Sequence, residues 1–566
     1  FYTISIALII LRLLFIGNTL LIDDEAYYAM YARHLSWGYI DHGPVIGYLI
    51  YLFTIFGENS FTVRLSALTL LIILSVILYF FGKNHFNQNT GIIMSLGISA
   101  NMLFHTNAVV ITPDVPLSFF TIIAIIYYYK AYFIDGKYFY IGGIFLGLAI
   151  LSKVSALFPA IGIILFPFIN SSKRYILSDL RFYFSFLITL VLFMPFIIWN
   201  LQNDLAFVRY QGAHITEGGS LSDFTSLWAG ICITAGPILF YYSIVKPFMM
   251  IRKIQSTKIE TQYFIIVTIV PLCYFLVHSF FSRMEVNWPA PILSGGIFLF
   301  GICLGKDWPL FYKRFVFQIT FSLFLILIVT MQTFFPFLPV KGKTDVTNRY
   351  HIYDILNTEL IDYMDKSPDL KNYRFLAENY QIPSMINFYI NPEHEATTLS
   401  INYHPTIYSF LYKDMDGFEG KCNYCKKGWT KRKDDKDDIN VSEYLIKITK
   451  FSTSSRQAIE YSKIIYDMFV RRELIKISEE TIDSAKLNDL DTSGQTIIEN
   501  SERQLFDLAE KGSFNSSLIK FDDAMKQTIE MASAAYKNEE GIVGVPTGLK
   551  DLDDKLGGLH QSDLII

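Results

Sequence analysis

Hydrophobicity along the first 340 residues comes in long apolar runs separated by short polar breaks, the pattern of a chain that crosses a bilayer repeatedly. A bilayer core takes roughly 20 apolar residues per helix. On that scale about eleven spans are expected, near 2–22, 64–81, 91–111, 115–129, 138–151, 155–169, 182–199, 227–245, 262–282, 288–304 and 315–338. The pair around Lys153 could also be one long or kinked helix, GGIFLGLAILSKVSALFPAIGIILF. After Val340 the pattern changes. Residues 341–420 are mixed and polar, with a helix expected at IYDILNTELIDYMDK, a strand at YRFLAEN and a second helix at IPSMINFYI, a small α/β cap. Residues 421–440 contain the charge-rich break KKGWTKRKDDKDDIN, a linker or junction. Residues 441–540 read as helical, with Ile459, Ile464, Ile465, Met468, Leu474, Ile475 and Ile477 forming an apolar stripe. The final 541–566 ends in an apolar run that begins a strand, and because the chain also starts at Phe1 inside an apolar run, it reads as a fragment at both ends.

Composition agrees with the membrane pattern. At 52% hydrophobic, 16% aromatic and 18% charged residues, the chain is too apolar for an ordinary soluble protein, and a net charge of −4 gives no global signature for nucleic acid. Basic residues in the short connections set the expected orientation. Thirteen fall in one set of loops (Lys83, Lys130, Lys137, Lys173, Arg174, Arg181, Lys246, Arg252, Lys253, Lys258, Lys306, Lys313 and Arg314), against five in the other (Arg33, Arg64, Lys153, Arg209 and Arg283). The first set is therefore expected in the cytoplasm. Cys232, Cys273 and Cys303 lie in apolar segments, and the lone CxxC of Cys422 and Cys425 supplies half a zinc site at most.

The expected outer face gathers the ionisable residues. Asp23, Asp24 and Glu25 follow the first span in LIDDEAYYAMYARHLSWGYIDHGP, where Asp41 and His42 also stand. Asp114 begins the fourth span in TPDVP, His214 lies in YQGAHITEGG, and Glu285 in MEVNWPAP. Ionisable groups at membrane depth are costly and point to a functional cavity. Glycosyl transfer from a lipid-phosphate sugar suits this placement. A carboxylate at the boundary can take the acceptor's proton while a cation neutralises the departing phosphate. Lys153, Arg209 and Arg283 are the outward basic candidates, and His42 or His214 with carboxylates could hold a divalent metal. Plainer readings stand beside these. Asp23 could be a solvated boundary residue, Glu285 a loop fastener, the three basic residues headgroup anchors, and Trp37 and Trp288 members of an interfacial belt.

At these residues the chain resembles glycosyltransferase family 39. The resemblance runs through DDEAYYAMYARHLSWGYIDHGPVIGYL, TPDVPL, GLAILSK and EVNWPAP, in order, over roughly 1–420. That family holds protein O-mannosyltransferases and the aminoarabinose transferases of lipid A. The resemblance implies a polytopic, mainly α membrane bundle of the GT-C type over 1–340, with an outward α/β cap. It also implies a polyprenyl-phosphate sugar donor and an inverting single displacement. Asp24 resembles the catalytic acid-base residue, Glu25 its companion and Asp114 the second-loop Asp. His42 occupies the place before the family's usual Pro-Pro, which here is Gly43-Pro44. The acceptor, whether glycan, lipid or protein, is not specified, and the expected location is the bacterial cytoplasmic membrane with the site facing outward.

From about 438 the sequence resembles a different family, the replicative DNA helicases of the DnaB type. INVSEYLIKITKFSTSSRQAIEYSKIIYDMFVRRELIKISEE resembles the end of the amino-terminal helical domain and the linker helix. MASAAYKNEEGIVGVPTGLKDLDDKLGGLHQSDLII resembles the start of the RecA-like ATPase domain. No GxxxxGK[ST] follows, so neither ATP binding nor helicase activity is expected, and helicase subunits are expected as partners only for a complete cytoplasmic tail. An odd span count would also put the tail outside. The expectation is a joining of two coding sequences near 420–440, by rearrangement or assembly error. The alternative is a replicative helicase polypeptide carrying a misplaced membrane segment. A transporter built on inverted repeats would need internal symmetry that the chain does not display.

Overall fold

The computed structural model describes residues 1–411 except 216–218, 341–344, 367–374, 378, 392–394 and 399–405, together with single positions and short stretches between 474 and 506. The chain divides into two compact units, Phe1–Lys431 and Arg432–Ile566. In the second unit the described positions are helical, with Ile477 buried and Leu474 exposed. The rest of the expected stripe, the charged linker, Cys422, Cys425 and the 541–566 strand lie outside the described residues.

The first unit is a helical bundle. Its opening helices are α1 (Tyr2–Gly17), α2 (Asp23–Arg33), α3 (Val45–Thr54), α4 (Ser60–His85), α5 (Gln88–Ser99), α6 (Met102–Val109), α7 (Asp114–Phe133), α8 (Tyr138–Ser152) and α9 (Leu157–Ile169). They are followed by α10 (Leu180–Gln202), α11 (Ala206–Ile215), α12 (Leu221–Ala235), α13 (Pro237–Phe240), α14 (Lys246–Ile251), α15 (Ile259–Phe281), α16 (Ala290–Lys306) and α17 (Trp308–Phe334). Five of these, α4, α7, α10, α15 and α17, are long and apolar enough to cross a bilayer. Three bent pairs raise the number to eight, and α1, α3, α8 and α16 are apolar helices of 10–17 residues. Each of the eleven expected spans falls on one of these helices or bent pairs. The differences are of length and continuity, and α3 is an apolar helix that the span pattern passed over. The chain breaks at Lys153, so α8 and α9 are two helices rather than one.

The bends have local causes. The pair α5–α6 turns by 60° at Ala100–Asn101, where the Asn101 side chain caps α6 by accepting from the Leu103 and Phe104 amides. The expected span at 227–245 is instead bent by 118° at Gly236-Pro237. Gly236 sits at φ 83°, and a Cβ there would lie 2.1 Å from the Gln318 amide, so only glycine fits. A break inside hydrocarbon needs internal partners for its freed backbone groups. Gln318 supplies them, its oxygen accepting from Ile238 N at 3.0 Å and Leu239 N at 3.1 Å and its amide donating to Ala235 O at 2.8 Å. Asn101 donates to the same carbonyl at 2.6 Å. A further buried charge, Arg12 in the middle of α1, donates to His105 Nδ1 at 3.2 Å and to the Ser99 carbonyl.

The cap elements follow α17. They are α18 (Ile352–Lys366), β1 (Leu376–Ala377), α19 (Gln381–Tyr389), β2 (Thr397–Thr398) and α20 (Ile407–Leu411), with β1 and β2 paired in parallel. The described cap helices and strand match the expected positions closely. α19 lies along α2, where Arg33 donates to Asn387 O at 2.9 Å, Tyr27 Oη accepts from Ile407 N at 3.1 Å, and His34 meets Glu395 at 2.9 Å.

One buried ion pair joins α2, α4 and the loop before α7. Glu25 and Arg64 are both fully buried. Arg64 donates through Nε to Glu25 Oε1 at 2.8 Å and through Nη2 to Oε2 at 2.5 Å. The other two sides of the carboxylate accept from Ile22 N and Ile111 N, each at 3.0 Å. Arg64 also gathers the α1–α2 connection, donating to Thr19 O at 3.0 Å and Leu20 O at 2.6 Å, and its guanidinium lies 5.6 Å from the Tyr350 ring. Removing one partner from such a pair strands a buried charge. Glu25→Gln is therefore expected to cost about 3–5 kcal/mol, read as a lowered thermal midpoint of the detergent-purified protein, while Glu25→Gln with Arg64→Met recovers much of the loss. An undiminished midpoint for Glu25→Gln alone would contradict this role.

Candidate functional site

The first turn of α2 carries Asp23, Asp24 and Glu25, where the positive end of the helix dipole favours carboxylates. Successive helical residues turn by about 100°, so the three side chains diverge. Glu25 turns inward to Arg64 and has both oxygens occupied, which makes it a positioning group rather than one that meets substrate. Asp23 and Asp24 turn toward the cap. Arg349, on the short 3-10 turn Val346–Tyr350 after α17, places one nitrogen against both, at 2.7 Å from Asp24 Oδ2 and in contact with Asp23 Oδ1. Tyr380 donates to Asp24 Oδ1 at 2.9 Å. Burial and then the neighbouring Asp24 charge push the Asp23 carboxyl above its ordinary range, against the pull of Arg349. Asp23 is thus a member of a shared cluster rather than a solvated boundary residue.

One turn further along α2, Tyr28 lies on the same face as Asp24. Its phenol is pushed up first by burial and then by Asp24, Asp41, Tyr27 and Asp114. The His42 ring approaches Tyr28 edge-on at 5.8 Å. Asp41 is buried beside Tyr31, whose hydroxyl donates to it, and Gln211 from α11 donates to the Asp41 carbonyl at 2.9 Å. The loop that holds Asp41 and His42 presses on the end of α8. A Cβ at Gly43 would stand 1.7 Å from the Leu151 carbonyl oxygen, so this packing demands glycine where the resembling family has proline.

Two residues beyond Leu151, Lys153 donates to Asp114 Oδ1 at 2.8 Å, and Asn287 donates to Asp114 Oδ2 at 2.6 Å. Lys153 also lies 6.0 Å from the Trp288 ring. Lys153 is therefore engaged with a buried carboxylate, and Trp288 lies half-buried beside it. Trp37 is 63% exposed.

Contacts thus run from Asp24 and Tyr28 on α2 to His42 against Tyr28, from the Asp41–Gly43 loop to Leu151, and from Lys153 to Asp114. Arg209, Arg283 and Glu285 are exposed and take no part in the contacts described for this cluster. Glu285 fastens its loop through its carbonyl, which accepts from Trp288 N at 3.1 Å. The side chain of His214, on α11, lies outside the described residues. Among the described residues no three His, Cys, Asp or Glu side chains converge as a metal site, and the Asp23–Asp24 pair already faces a guanidinium. The sequence reading missed Arg349, Tyr380, Tyr28 and Asn287. Arg64 had a visible signal, a single charge inside the apolar SFTVRLSALTLLIILS, which demands a buried partner.

Burial pushes the Asp41 carboxyl up to about 6. An unfolded Asp titrates near 4, so between about pH 4 and 6 the folded state holds the extra proton, and stability falls as pH rises through that window. The thermal midpoint of Asp41→Asn relative to the unsubstituted protein should therefore rise from pH 4 to 7. A difference that is flat with pH would contradict the buried, proton-holding environment.

Residues 41–199 match the family model described as dolichyl-phosphate-mannose-protein mannosyltransferase, a stretch that includes Asp41, His42, Asp114 and Lys153 and begins after Asp24. The fold is similar to that of ArnT from Cupriavidus metallidurans. The apo crystal structure superposes with a TM-score of 0.53 at 12% identity, covering 74% of this chain and 90% of that one. The crystal structure bound to undecaprenyl phosphate gives 0.55 at 13% identity, covering 76% and 95%. A separate 129-residue segment is 38% identical to the replicative DNA helicase DnaB of Rickettsia conorii and covers 23% of this chain and 26% of that protein. The DnaB of Rickettsia bellii gives 39% over the same length. The chain spans about a quarter of these helicases. It therefore combines a multi-span bundle with the GT-C fold, a matched mannosyltransferase-type segment, and a separate DnaB-like segment.

Proposed function

We propose that the unit Phe1–Lys431 is a membrane glycosyltransferase that moves a sugar from a polyprenyl-phosphate donor to an acceptor on the outer face of the cytoplasmic membrane. The observation that carries this reading is Asp24. It is a partly exposed carboxylate in the first turn of a helix that directly follows an apolar α1, with a half-exposed arginine beside it. A base at the water boundary and a cation for a phosphate are the two groups that the reaction needs.

In the proposed step the acceptor hydroxyl attacks the anomeric carbon of the donor sugar. Its oxygen forms the new bond to that carbon as the bond from the carbon to the phosphate oxygen breaks on the opposite face. Polyprenyl phosphate leaves with the electron pair, Asp24 takes the hydroxyl proton, and the anomeric configuration inverts. Glu25 fixes the turn that aims Asp24, and the Asp114–Lys153 pair with Asn287 closes the inner wall. Among the described residues no three His, Cys, Asp or Glu side chains gather as a divalent-cation site.

The outward orientation rests on the loop charges, thirteen basic residues in one set of connections against five in the other. Ion pairs engage members of both sets, Arg64 with Glu25 and Lys153 with Asp114 on one side and Lys137 with Asp135 and Arg181 with Asp179 on the other, so the bias is carried by the full count. Every described residue of the site belongs to the first unit, so the reading does not draw on the DnaB-like segment.

Asp24→Asn keeps the size of the side chain and removes the base. It is expected to reduce transfer of labelled sugar from a polyprenyl-phosphate donor to envelope acceptors by about 10²–10⁴-fold, the usual contribution of a general base, with membrane insertion unchanged. Transfer at the unsubstituted rate would remove Asp24 from the chemistry.

A further inference from the structure

In this arrangement both oxygens of Asp24 are engaged, and the half-exposed Arg349 guanidinium stands over its outer side. One oxygen accepts from Tyr380 at 2.9 Å and the other from Arg349 at 2.7 Å. A carboxylate that serves as a base must turn a lone pair toward the incoming proton. The guanidinium is half exposed and holds Asp23 through the same nitrogen, so one flexible side chain covers the outer side of the pair.

The turn that carries Arg349 is fixed independently of this contact. Asp345 caps it by accepting from Thr347 N at 2.9 Å and Thr347 Oγ1 at 2.6 Å, and Gln332 at the end of α17 donates to Asp345 at 2.6 Å. On the inner side Tyr350 packs under Arg64. The backbone is therefore pinned on both sides of Arg349, while the side chain can change partner without moving the turn.

We propose that Arg349 is a phosphate-binding switch: the phosphate of the lipid-linked donor draws its guanidinium off Asp24, so that the base is uncovered only when donor is seated. This rests on the glycosyltransferase reading above. Guanidinium suits the exchange because its planar fork matches phosphate oxygens as well as carboxylate oxygens. No proton moves in the exchange. The phosphate brings its own negative charge to the arginine, and the guanidinium no longer covers Asp24. Donor binding and base activation are then one equilibrium, and a ligand shifts such an equilibrium only by its differential affinity for the two states.

Competition for one cation gives a thermodynamic signature that a structural ion pair does not. Affinity for undecaprenyl phosphate, with inorganic phosphate in a parallel series, can be measured on the purified full chain and on Asp24→Asn, Arg349→Gln and the double variant. Arg349→Gln is expected to weaken undecaprenyl phosphate binding about tenfold or more, as loss of a charge-assisted contact. Asp24→Asn is expected to tighten it about threefold, the scale of one partly exposed ion pair. The decisive comparison is the double variant. Release of Arg349 predicts that the tightening disappears when Arg349 is Gln, whereas simple repulsion between Asp24 and phosphate leaves it in place and overturns the proposal.

Coupling seen with inorganic phosphate but not with the lipid would also overturn it, because the switch would then read free phosphate. Arg349→Lys provides the check on folding. It keeps the charge and should retain most of the binding; equal losses in Lys and Gln variants together with a lowered thermal midpoint would mark Arg349 as structural. An unsubstituted protein that binds no undecaprenyl phosphate would defeat the transferase reading itself. Binding without coupling would defeat only the switch.

Discussion

The buried pair between Glu25 and Arg64 is the constraint on which the rest of the site depends. A carboxylate and a guanidinium removed from water are stable only when their remaining hydrogen-bonding capacity is met. Here the carboxylate accepts from Ile22 and Ile111, and the guanidinium donates to Thr19 and Leu20. The pair therefore ties four segments at one point: the end of α1 with its connection, the first turn of α2, α4, and the loop that delivers Asp114 to α7. Three adjacent acidic residues at a bilayer edge then have separate tasks. One is consumed inside the fold, and its fixed direction forces the other two outward to the cap.

The cap completes what the bundle begins. Arg349 and Tyr380 reach Asp24 from segments more than 300 positions away along the chain, while Arg33 donating to Asn387 O and Ile407 N donating to Tyr27 fasten α19 and α20 to α2. The charges of Asp24, Asp41 and Asp114 all raise the Tyr28 phenol, and Asp24 is the partly exposed one of the three. The remaining two are enclosed. Asp114 is paired with Lys153 and accepts from Asn287, and Asp41 retains its proton more readily because it is buried, against the pull of the Tyr31 hydroxyl that donates to it. Their environments differ although the groups are chemically alike: two carboxylates are enclosed, and Asp24 alone of the three is partly exposed, the difference on which the proposed base role rests.

Much of the scaffold was legible in the sequence because its signals are local. Apolar run length locates the helices, and the polar periodicity of IYDILNTELIDYMDK and IPSMINFYI locates α18 and α19 within a residue or two. Bends were less visible. Hydropathy averages across Gly236-Pro237, although that dipeptide is itself a breaker, and the buried amides that make the break tolerable come from Asn101 and Gln318, far along the chain. At the site, Asp24 and Asp114 stood out by position and by resemblance. The role of Glu25 did not, because nothing in DDE says which carboxylate faces inward until Arg64 is brought to it. Arg349 and Tyr380 lie in a segment whose sequence carries no local mark of chemistry; only the folded contact to Asp24 identifies them.

The most direct test of this account is a cryo-electron microscopy map of the full chain with undecaprenyl phosphate bound. The account predicts phosphate density at the rim beside α2, within hydrogen-bonding distance of the Arg349 guanidinium, with the guanidinium withdrawn from Asp24. Phosphate seated instead against Arg209 or Arg283, with Arg349 still bridging Asp23 and Asp24, would contradict it.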